Sequence, residues 1–175
     1  MKRAANLYLV GLMGAGKTTV GRVLARRLKL RFLDSDQEIE RRCGVKIPVI
    51  FEIEGEAGFR GREAAVIGEL SQLRGIVLAT GGGVVIRPAN RERLKVNGTV
   101  VYLRADPAAL WERVHRSRHR PLLNAPDKRA RLEELFRERD PFYREVADCV
   151  LESDREQIAR FAQNLEAAQR DAERA

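Results

Sequence analysis

The chain has 175 residues, of which 44% are hydrophobic and 33% charged, and this size and composition predict one globular domain with its own core. Its apolar runs are too short to span a bilayer or to form a signal peptide, and its two cysteines lack metal-ligand spacing, so we expect a cytoplasmic protein. The net charge of +8 comes from arginines that alternate with acidic residues, as in residues 129–144, which argues against a nucleic-acid partner.

A glycine-rich loop follows the first predicted strand, residues 7–10. Residues 11–18 match the phosphate-binding pattern G-x-x-x-x-G-K-[ST], and apolar residues then recur every four positions, as in a helix. Backbone amides and the helix N-terminus would bind phosphate, Lys17 would reach the outer phosphates and the Thr18 hydroxyl would ligate Mg²⁺. The alternative is a glycine-rich turn without a ligand. The pattern predicts ATP-binding residues at Gly14, Ala15, Gly16, Lys17, Thr18 and Thr19.

Two aspartates follow the second predicted strand, residues 31–33. Ligands of open parallel sheets bind beyond the carboxyl ends of the strands, so Asp34 and Asp36 should face the same crevice as the phosphate loop. Their spacing predicts side chains on one side of an extended chain. One carboxylate could support Mg²⁺, and the other could accept a hydrogen bond from a substrate hydroxyl or act as a base. The alternative is that one of them caps a helix beginning near Gln37.

Further strands are predicted at residues 76–79, 99–103 and 149–151, with helical stretches between them. This alternation predicts an α/β fold with a mostly parallel sheet covered on both faces. Gly81, Gly82 and Gly83 follow the third strand and would let a ligand approach the backbone closely. Residues 113–126 have no apolar periodicity and are predicted to form a substrate lid, with an ordinary exposed loop as the alternative. The polar residues from about 163 to 175 are expected to fray.

Two arginines have helical spacing that turns them inward. Arg139 shares an apolar stripe with Leu132, Leu135 and Phe136, and a guanidinium on such a stripe needs an anionic partner. Arg60 shares a stripe with residues 64 and 67. Both arginines suit bidentate binding of a carboxylate, although an exposed ion pair with a nearby glutamate is the alternative for Arg60.

With these motifs in order, the chain closely resembles the shikimate kinase family. Residues 11–21 match its phosphate loop G-x-M-G-x-G-K-[ST]-[ST]-x-G, and Asp34-Ser35-Asp36 matches its D-[ST]-D. The remaining matches are I-F-x-x-x-G-E-x-x-F-R-x-x-E at residues 50–63, the three glycines, R-P-L-L at residues 120–123 and R-x-P-x-Y at residues 139–143.

The resemblance implies a P-loop NTPase fold of the nucleoside monophosphate kinase type, with a five-stranded parallel sheet of order 2-3-1-4-5, flanking helices and a lid. It implies a single kinase domain over residues 1–175, with the shikimate-binding region at about 34–62. The implied activity is Mg²⁺-dependent transfer of the ATP γ-phosphate to the 3-hydroxyl of shikimate, on the route to chorismate and the aromatic amino acids. A cytoplasmic monomer that binds neither membrane nor nucleic acid is the implied state.

Residue roles carried over by position follow from the same resemblance. Asp36 would be the hydroxyl ligand and base, and Asp34 would bind Mg²⁺ through water together with Thr18. The implied catalytic residues are Lys17, Asp36 and Arg120, and Arg113, Arg120 and Arg155 would join the ATP site. The implied shikimate contacts are Asp36, Arg60, Gly81, Gly82, Gly83 and Arg139.

Two other functions are compatible with the phosphate loop. A gluconate kinase would share the architecture, but it should lack the D-[ST]-D and R-x-P-x-Y motifs in this arrangement. A nucleotide-dependent switch protein would have no second substrate, and therefore no need for inward arginines beside paired aspartates.

Overall fold

The computed structural model describes residues 6–116 and 121–174, in which strands and helices alternate along the chain. In chain order the elements are β1 (Asn6–Val10), α1 (Lys17–Leu28), β2 (Arg31–Asp34), α2 (Ser35–Cys43), α3 (Ile47–Leu70), β3 (Ile76–Ala79), α4 (Pro88–Asn97), β4 (Gly98–Arg104), α5 (Pro107–Val114), α6 (Lys128–Val146), β5 (Cys149–Glu152) and α7 (Arg155–Arg174). Two short 3₁₀ turns, Val84–Ile86 and Pro121–Leu123, complete the described part.

The strands form one parallel sheet of order β2-β3-β1-β4-β5, which confirms the expected topology. The central strand β1 is buried along its whole length, with Tyr8 opposite Leu78 on one side and Val100 on the other. A strand covered on both faces favours apolar residues, which explains the hydrophobic run of residues 7–10. The buried side chain of Asn6 at its start is hydrogen-bonded to the Tyr8 hydroxyl and the Ile76 amide. The strands lie where the sequence predicts them, each extended by no more than one residue at an end.

Helices pack on both faces of this sheet. The α1 helix contacts α7 and the first three strands. The α4 helix contacts α3 and α6, and α4 and α6 also contact β4. Val20, Leu24 and Leu28 form the buried face of α1, as their four-residue spacing predicts. No helix in the described ranges is long and apolar enough to cross a membrane.

The second crossover, between β2 and β3, contains two helices. The α2 helix begins at Ser35, directly after β2, so the prediction of a helix start near Gln37 was wrong by two residues. The α3 helix is broken at Gly55, whose φ of 68° and ψ of −178° are not helical. Glycine tolerates this conformation because it has no β-carbon.

The last helix, α7, is helical as far as Arg174. It is tied to α1 by an ion pair between the Arg27 guanidinium and the Glu166 carboxylate, 2.5 Å apart. The buried Ala162 and the partly buried Leu165 pack against the core. Fraying of the residues beyond these contacts stays a prediction.

Candidate active site

A cavity of about 690 Å³ opens at the carboxyl edge of the sheet, where β1, β2 and β3 end. Carboxyl ends of parallel strands meet at one edge, so the segments that follow them converge there. Most of the predicted site residues line this cavity: Gly14, Gly16, Lys17, Thr18, Thr19, Asp34, Asp36, Arg60, Gly81, Gly82, Gly83 and Arg139. Ala15 is buried in the phosphate loop and does not line the cavity.

The phosphate loop takes a conformation that requires glycine. Gly14 and Gly16 have φ angles of 83° and 90°, in the left-handed region that side chains rarely adopt. Across the loop, the Lys17 ammonium donates hydrogen bonds to the carbonyls of Gly11 and Leu12, at 2.6 Å and 3.0 Å. These contacts hold the ammonium over the loop, in position to meet an anion at the α1 N-terminus.

Asp34 joins the phosphate loop to α2. Its Oδ2 accepts a 2.7 Å hydrogen bond from the Thr18 hydroxyl, and its Oδ1 accepts bonds from the amides of Asp36 and Gln37. The helix-cap alternative is therefore correct for Asp34, yet the same carboxylate also lies in the cavity beside Thr18. Asp36 lies in the first helical turn, so the argument from extended-chain spacing was wrong, although both carboxylates line the cavity.

The carboxylates of Asp36 and Glu63 both lie close to Gly81. Asp36 Oδ1 and Glu63 Oε1 are buried and have no hydrogen-bond partner among the described residues. A β-carbon at Gly81 would lie 2.7 Å and 2.9 Å from these oxygens, so only glycine leaves room for both. Burial, followed by the charges of Asp34 and Glu63, raises the pKa of Asp36 to about 7, against the opposing charges of Lys17 and Arg60.

Arg60 is buried at the wall of the cavity, 6% exposed. Its guanidinium donates to Glu63 at 2.8 Å and to Glu56 at 3.2 Å. Both ion pairs exist. The pair with Glu63 is buried, so the alternative of an exposed pair is wrong for Glu63, whereas the Glu56 carboxylate is exposed and pairs with a buried Arg60. The pairing leaves Arg60 in the cavity while satisfying a charge that would otherwise be costly to bury.

Arg139 faces the same cavity from α6 and is 3% exposed. Its Nε and Nη1 are buried and have no hydrogen-bond partner among the described residues. The apolar stripe that predicted its inward position is observed, with Leu132 and Leu135 buried beside it. Two unpaired donors of a buried cation have the geometry to bind a planar anion such as a carboxylate.

Arg113, on α5, connects the phosphate loop with the segment that follows β5. Its Nη1 donates to the Gly14 carbonyl at 3.0 Å and to the Ser153 hydroxyl at 2.9 Å. Ser153 in turn donates to the Ala15 carbonyl at 2.8 Å. The exposed Arg155 begins α7 and does not line the cavity, and Arg120 lies outside the described residues.

Sequence reasoning considered Glu63 only as an ion-pair partner and missed Ser153 and Tyr143. Glu63 had a usable signal, because it lies three residues after Arg60 and four before the buried Ile67, on an inward stripe. Tyr143 lies four residues after Arg139 on the buried stripe of α6, so helical spacing predicts its inward position but not its partner. The contacts of Tyr143 with Gly82 and of Ser153 with Ala15 join residues distant in sequence, for which periodicity gives no signal.

Comparison with known proteins assigns this architecture to a family. The family model described as "Shikimate kinase" matches residues 13–169. A shikimate kinase from Thiobacillus denitrificans is 62% identical over 159 residues, which are 91% of this chain and 87% of that protein. The structure of a shikimate kinase from Acinetobacter baumannii in complex with shikimate is 50% identical with a TM-score of 0.87, over 92% of this chain and 90% of that one. An Aquifex aeolicus shikimate kinase structure is 36% identical with a TM-score of 0.80, over 93% and 97%.

Proposed function

The chain belongs to the shikimate kinase family, and we propose how its cavity transfers the γ-phosphate of ATP to the 3-hydroxyl of shikimate. The products are ADP and shikimate 3-phosphate, on the route to chorismate. One observation carries the proposal: the unpaired donors of Arg139 and the unpaired carboxylate oxygen of Asp36 line one cavity together with the phosphate loop. An acceptor that carries a carboxylate and a hydroxyl group pairs its carboxylate with Arg139 and its hydroxyl with Asp36.

At the acceptor end, Arg139 and Arg60 bind the shikimate carboxylate and Gly81, Gly82 and Gly83 lie against the ring. The unpaired Nε and Nη1 of Arg139 support this assignment, because a bound carboxylate would satisfy both donors. The glycine turn supports it as well, since β-carbons at Gly81 and Gly83 would displace the groups of Asp36, Glu63 and Arg60 beside the turn.

Asp36 receives the proton of the acceptor hydroxyl. As the hydroxyl oxygen forms its bond to the γ-phosphorus, the bond from that phosphorus to the β–γ bridging oxygen breaks and ADP leaves. A carboxyl group with a pKa of about 7 is partly ionised near neutral pH and matches the driving force that proton transfer requires. Lys17 and Arg120 neutralise charge on the transferred phosphoryl group.

Thr18 and Asp34 fit a Mg²⁺ ion bound together with ATP. Their oxygen atoms lie 2.7 Å apart in the cavity, and both are hard oxygen donors. Mg²⁺ usually keeps several waters and takes only one or two protein ligands beside the substrate phosphates, so Thr18 would bind it directly and Asp34 through water. The ion neutralises phosphate charge when bound.

At the nucleotide end, Gly14, Ala15, Gly16, Lys17, Thr18 and Thr19 bind the phosphates, and Arg113, Arg120 and Arg155 complete the ATP site. The position of Arg113 beside the phosphate loop supports its part in this assignment. We further expect a cytoplasmic monomer that binds neither nucleic acid nor membrane.

An acceptor assay tests the substrate assignment. ADP release is measured with shikimate, with gluconate and without an acceptor, at saturating ATP and Mg²⁺. We expect rapid turnover with shikimate alone. Turnover with gluconate would assign the cavity to a polyol acid, and equal ADP release without any acceptor would indicate a nucleotide hydrolase or switch. Light scattering during gel filtration tests the monomeric state.

A further inference from the structure

Tyr143 lies completely buried on α6, one helical turn after Arg139. Its hydroxyl donates a hydrogen bond to the carbonyl of Gly82, the middle residue of the glycine turn. The guanidinium of Arg139 lies close enough to this hydroxyl for its charge and a hydrogen bond to oppose the pKa increase caused by burial. One buried hydroxyl therefore binds the turn and lies near the arginine that the acceptor needs.

The glycine turn is fixed at several of its polar groups. The Gly81 amide donates to the Ser35 hydroxyl at 3.0 Å, and the Gly81 carbonyl accepts from the Val84 amide at 3.2 Å. The side chain and amide of Thr80 both donate to the Leu9 carbonyl. The Gly82 carbonyl is held by Tyr143, a residue 61 positions away on another helix. Its orientation therefore depends on α6, the same helix that carries Arg139.

The ring of Tyr143 packs on Tyr102, with centroids 4.9 Å apart. Tyr102 is also buried, but its hydroxyl donates to the Asp140 carboxylate at 2.7 Å, and it does not line the cavity. The two tyrosines therefore have similar burial and share one stacking contact. They differ in the group that each hydroxyl binds.

We propose that Tyr143 is a positioning residue for the acceptor, whose hydroxyl sets the Gly82 carbonyl and the Arg139 guanidinium in the arrangement that receives a carboxylate-bearing ring. The inference rests on the proposed function, in which Arg139 and the glycine turn bind shikimate. A neutral phenol suits this task, because it can donate to the carbonyl and accept from the guanidinium at the same time. Burial raises its pKa, which keeps the phenol protonated.

Tyr143→Phe keeps the ring and its packing but removes the hydroxyl. Loss of one buried hydrogen bond that acts on binding should raise the KM and Kd for shikimate by about 3- to 10-fold. The KM for ATP should stay within about twofold, since the Tyr143 hydroxyl binds Gly82 and Tyr143 does not line the cavity. The Kd is measured by calorimetry, so the result does not depend on turnover.

Tyr102→Phe is the matched control. It removes a hydroxyl from the other ring of the same stacked pair, and its loss of thermal stability should resemble that of Tyr143→Phe. Its shikimate affinity should equal that of the parent. If both variants bind shikimate equally weakly, the weaker binding results from general destabilisation of the protein, and the proposal is overturned.

Arg139→Lys separates this inference from the proposed function beneath it. We expect this variant to bind shikimate about 10- to 150-fold more weakly, because lysine keeps the charge but loses the two-point fork. Parent-like affinity in Arg139→Lys would overturn both the carboxylate assignment and the role of Tyr143. Weakened binding in Arg139→Lys with parent-like binding in Tyr143→Phe would overturn the inference alone.

Discussion

Gly83 lies directly against Arg60, and a β-carbon at this position would overlap both terminal nitrogens of the guanidinium. Arg60 is held from its other side by Glu63 and Glu56, so it has little freedom to retreat. The backbone at Gly83 and the Arg60 side chain of α3 therefore pack closely together, although they lie far apart in the sequence. The absence of a side chain at Gly83 is required by the position of Arg60, rather than by a turn with positive φ.

We therefore predict that Gly83→Ala displaces Arg60 and raises the KM for shikimate about tenfold or more, with little change in the KM for ATP. Gly61→Ala is the control, since a β-carbon at Gly61 meets no atom within 4 Å and alanine favours the helix. Steady-state kinetics of both variants decide the matter. A parent-like KM in Gly83→Ala would show that Arg60 can move without loss of binding.

Asp36→Asn tests the assignment of the base. Because asparagine cannot accept the hydroxyl proton, kcat should fall by roughly 10²- to 10⁴-fold, the usual range for general acid–base groups. The Kd for ATP, measured separately, should barely change. A variant that loses ATP affinity but keeps kcat would move Asp36 from the acceptor to the metal site.

The raised pKa of Asp36 also predicts a pH-dependent effect on stability. The group titrates near 3.8 when unfolded and near 7 when folded, so the folded state binds this proton more tightly. The stability that Asp36 contributes is full below pH 3.8 and is lost as the pH rises through 7. Asparagine does not titrate, so Asp36→Asn should gain Tm relative to the parent as the pH rises.

Thermal melts of parent and Asp36→Asn at about pH 5 and about pH 8 measure this difference, at roughly 2–4 °C for each kcal/mol. The Tm advantage of the variant should be larger at the higher pH. An advantage that stays constant, or shrinks, would mean that the positive charges of Lys17 and Arg60 outweigh burial and the charges of Asp34 and Glu63 and hold Asp36 ionised in the folded protein.

The sheet and the phosphate loop could be predicted because their signals are local. An uninterrupted apolar run determines β1, and the spacing of glycines and Lys17 determines the loop. Arg139 was also predictable, since its stripe lies within one helix. The double role of Asp34 was not predictable. Asp34 ends β2 and also caps α2, and neither the strand pattern nor the helix pattern alone indicates both. The contact of Ser153 with Ala15, 138 positions apart, depends on the tertiary fold alone.

Ser153→Ala should weaken ATP binding. The change leaves the Ala15 carbonyl without its hydroxyl donor and removes a side-chain acceptor from Arg113. We expect the KM for ATP to rise about 2- to 10-fold, the scale of one hydrogen bond, with an unchanged KM for shikimate. Ser71→Ala is the control, because Ser71 is buried at the end of α3, where its hydroxyl donates to Gly68. An equal rise in both variants would refute a specific effect at the nucleotide end.

Asp34 has two separable tasks, and two substitutions distinguish them. Asparagine can still accept the amide bonds of Asp36 and Gln37, so Asp34→Asn should keep a Tm close to that of the parent. It loses the charge beside Thr18, so the Mg²⁺ concentration for half-maximal activity should rise about tenfold, as for other outer-shell partners of metals. Asp34→Ala should show the same Mg²⁺ effect and also lose the cap, at a cost of about 1 kcal/mol. If Asp34→Asn keeps the parent's Mg²⁺ response while Asp34→Ala is destabilised, Asp34 is a helix cap and takes no part in metal binding.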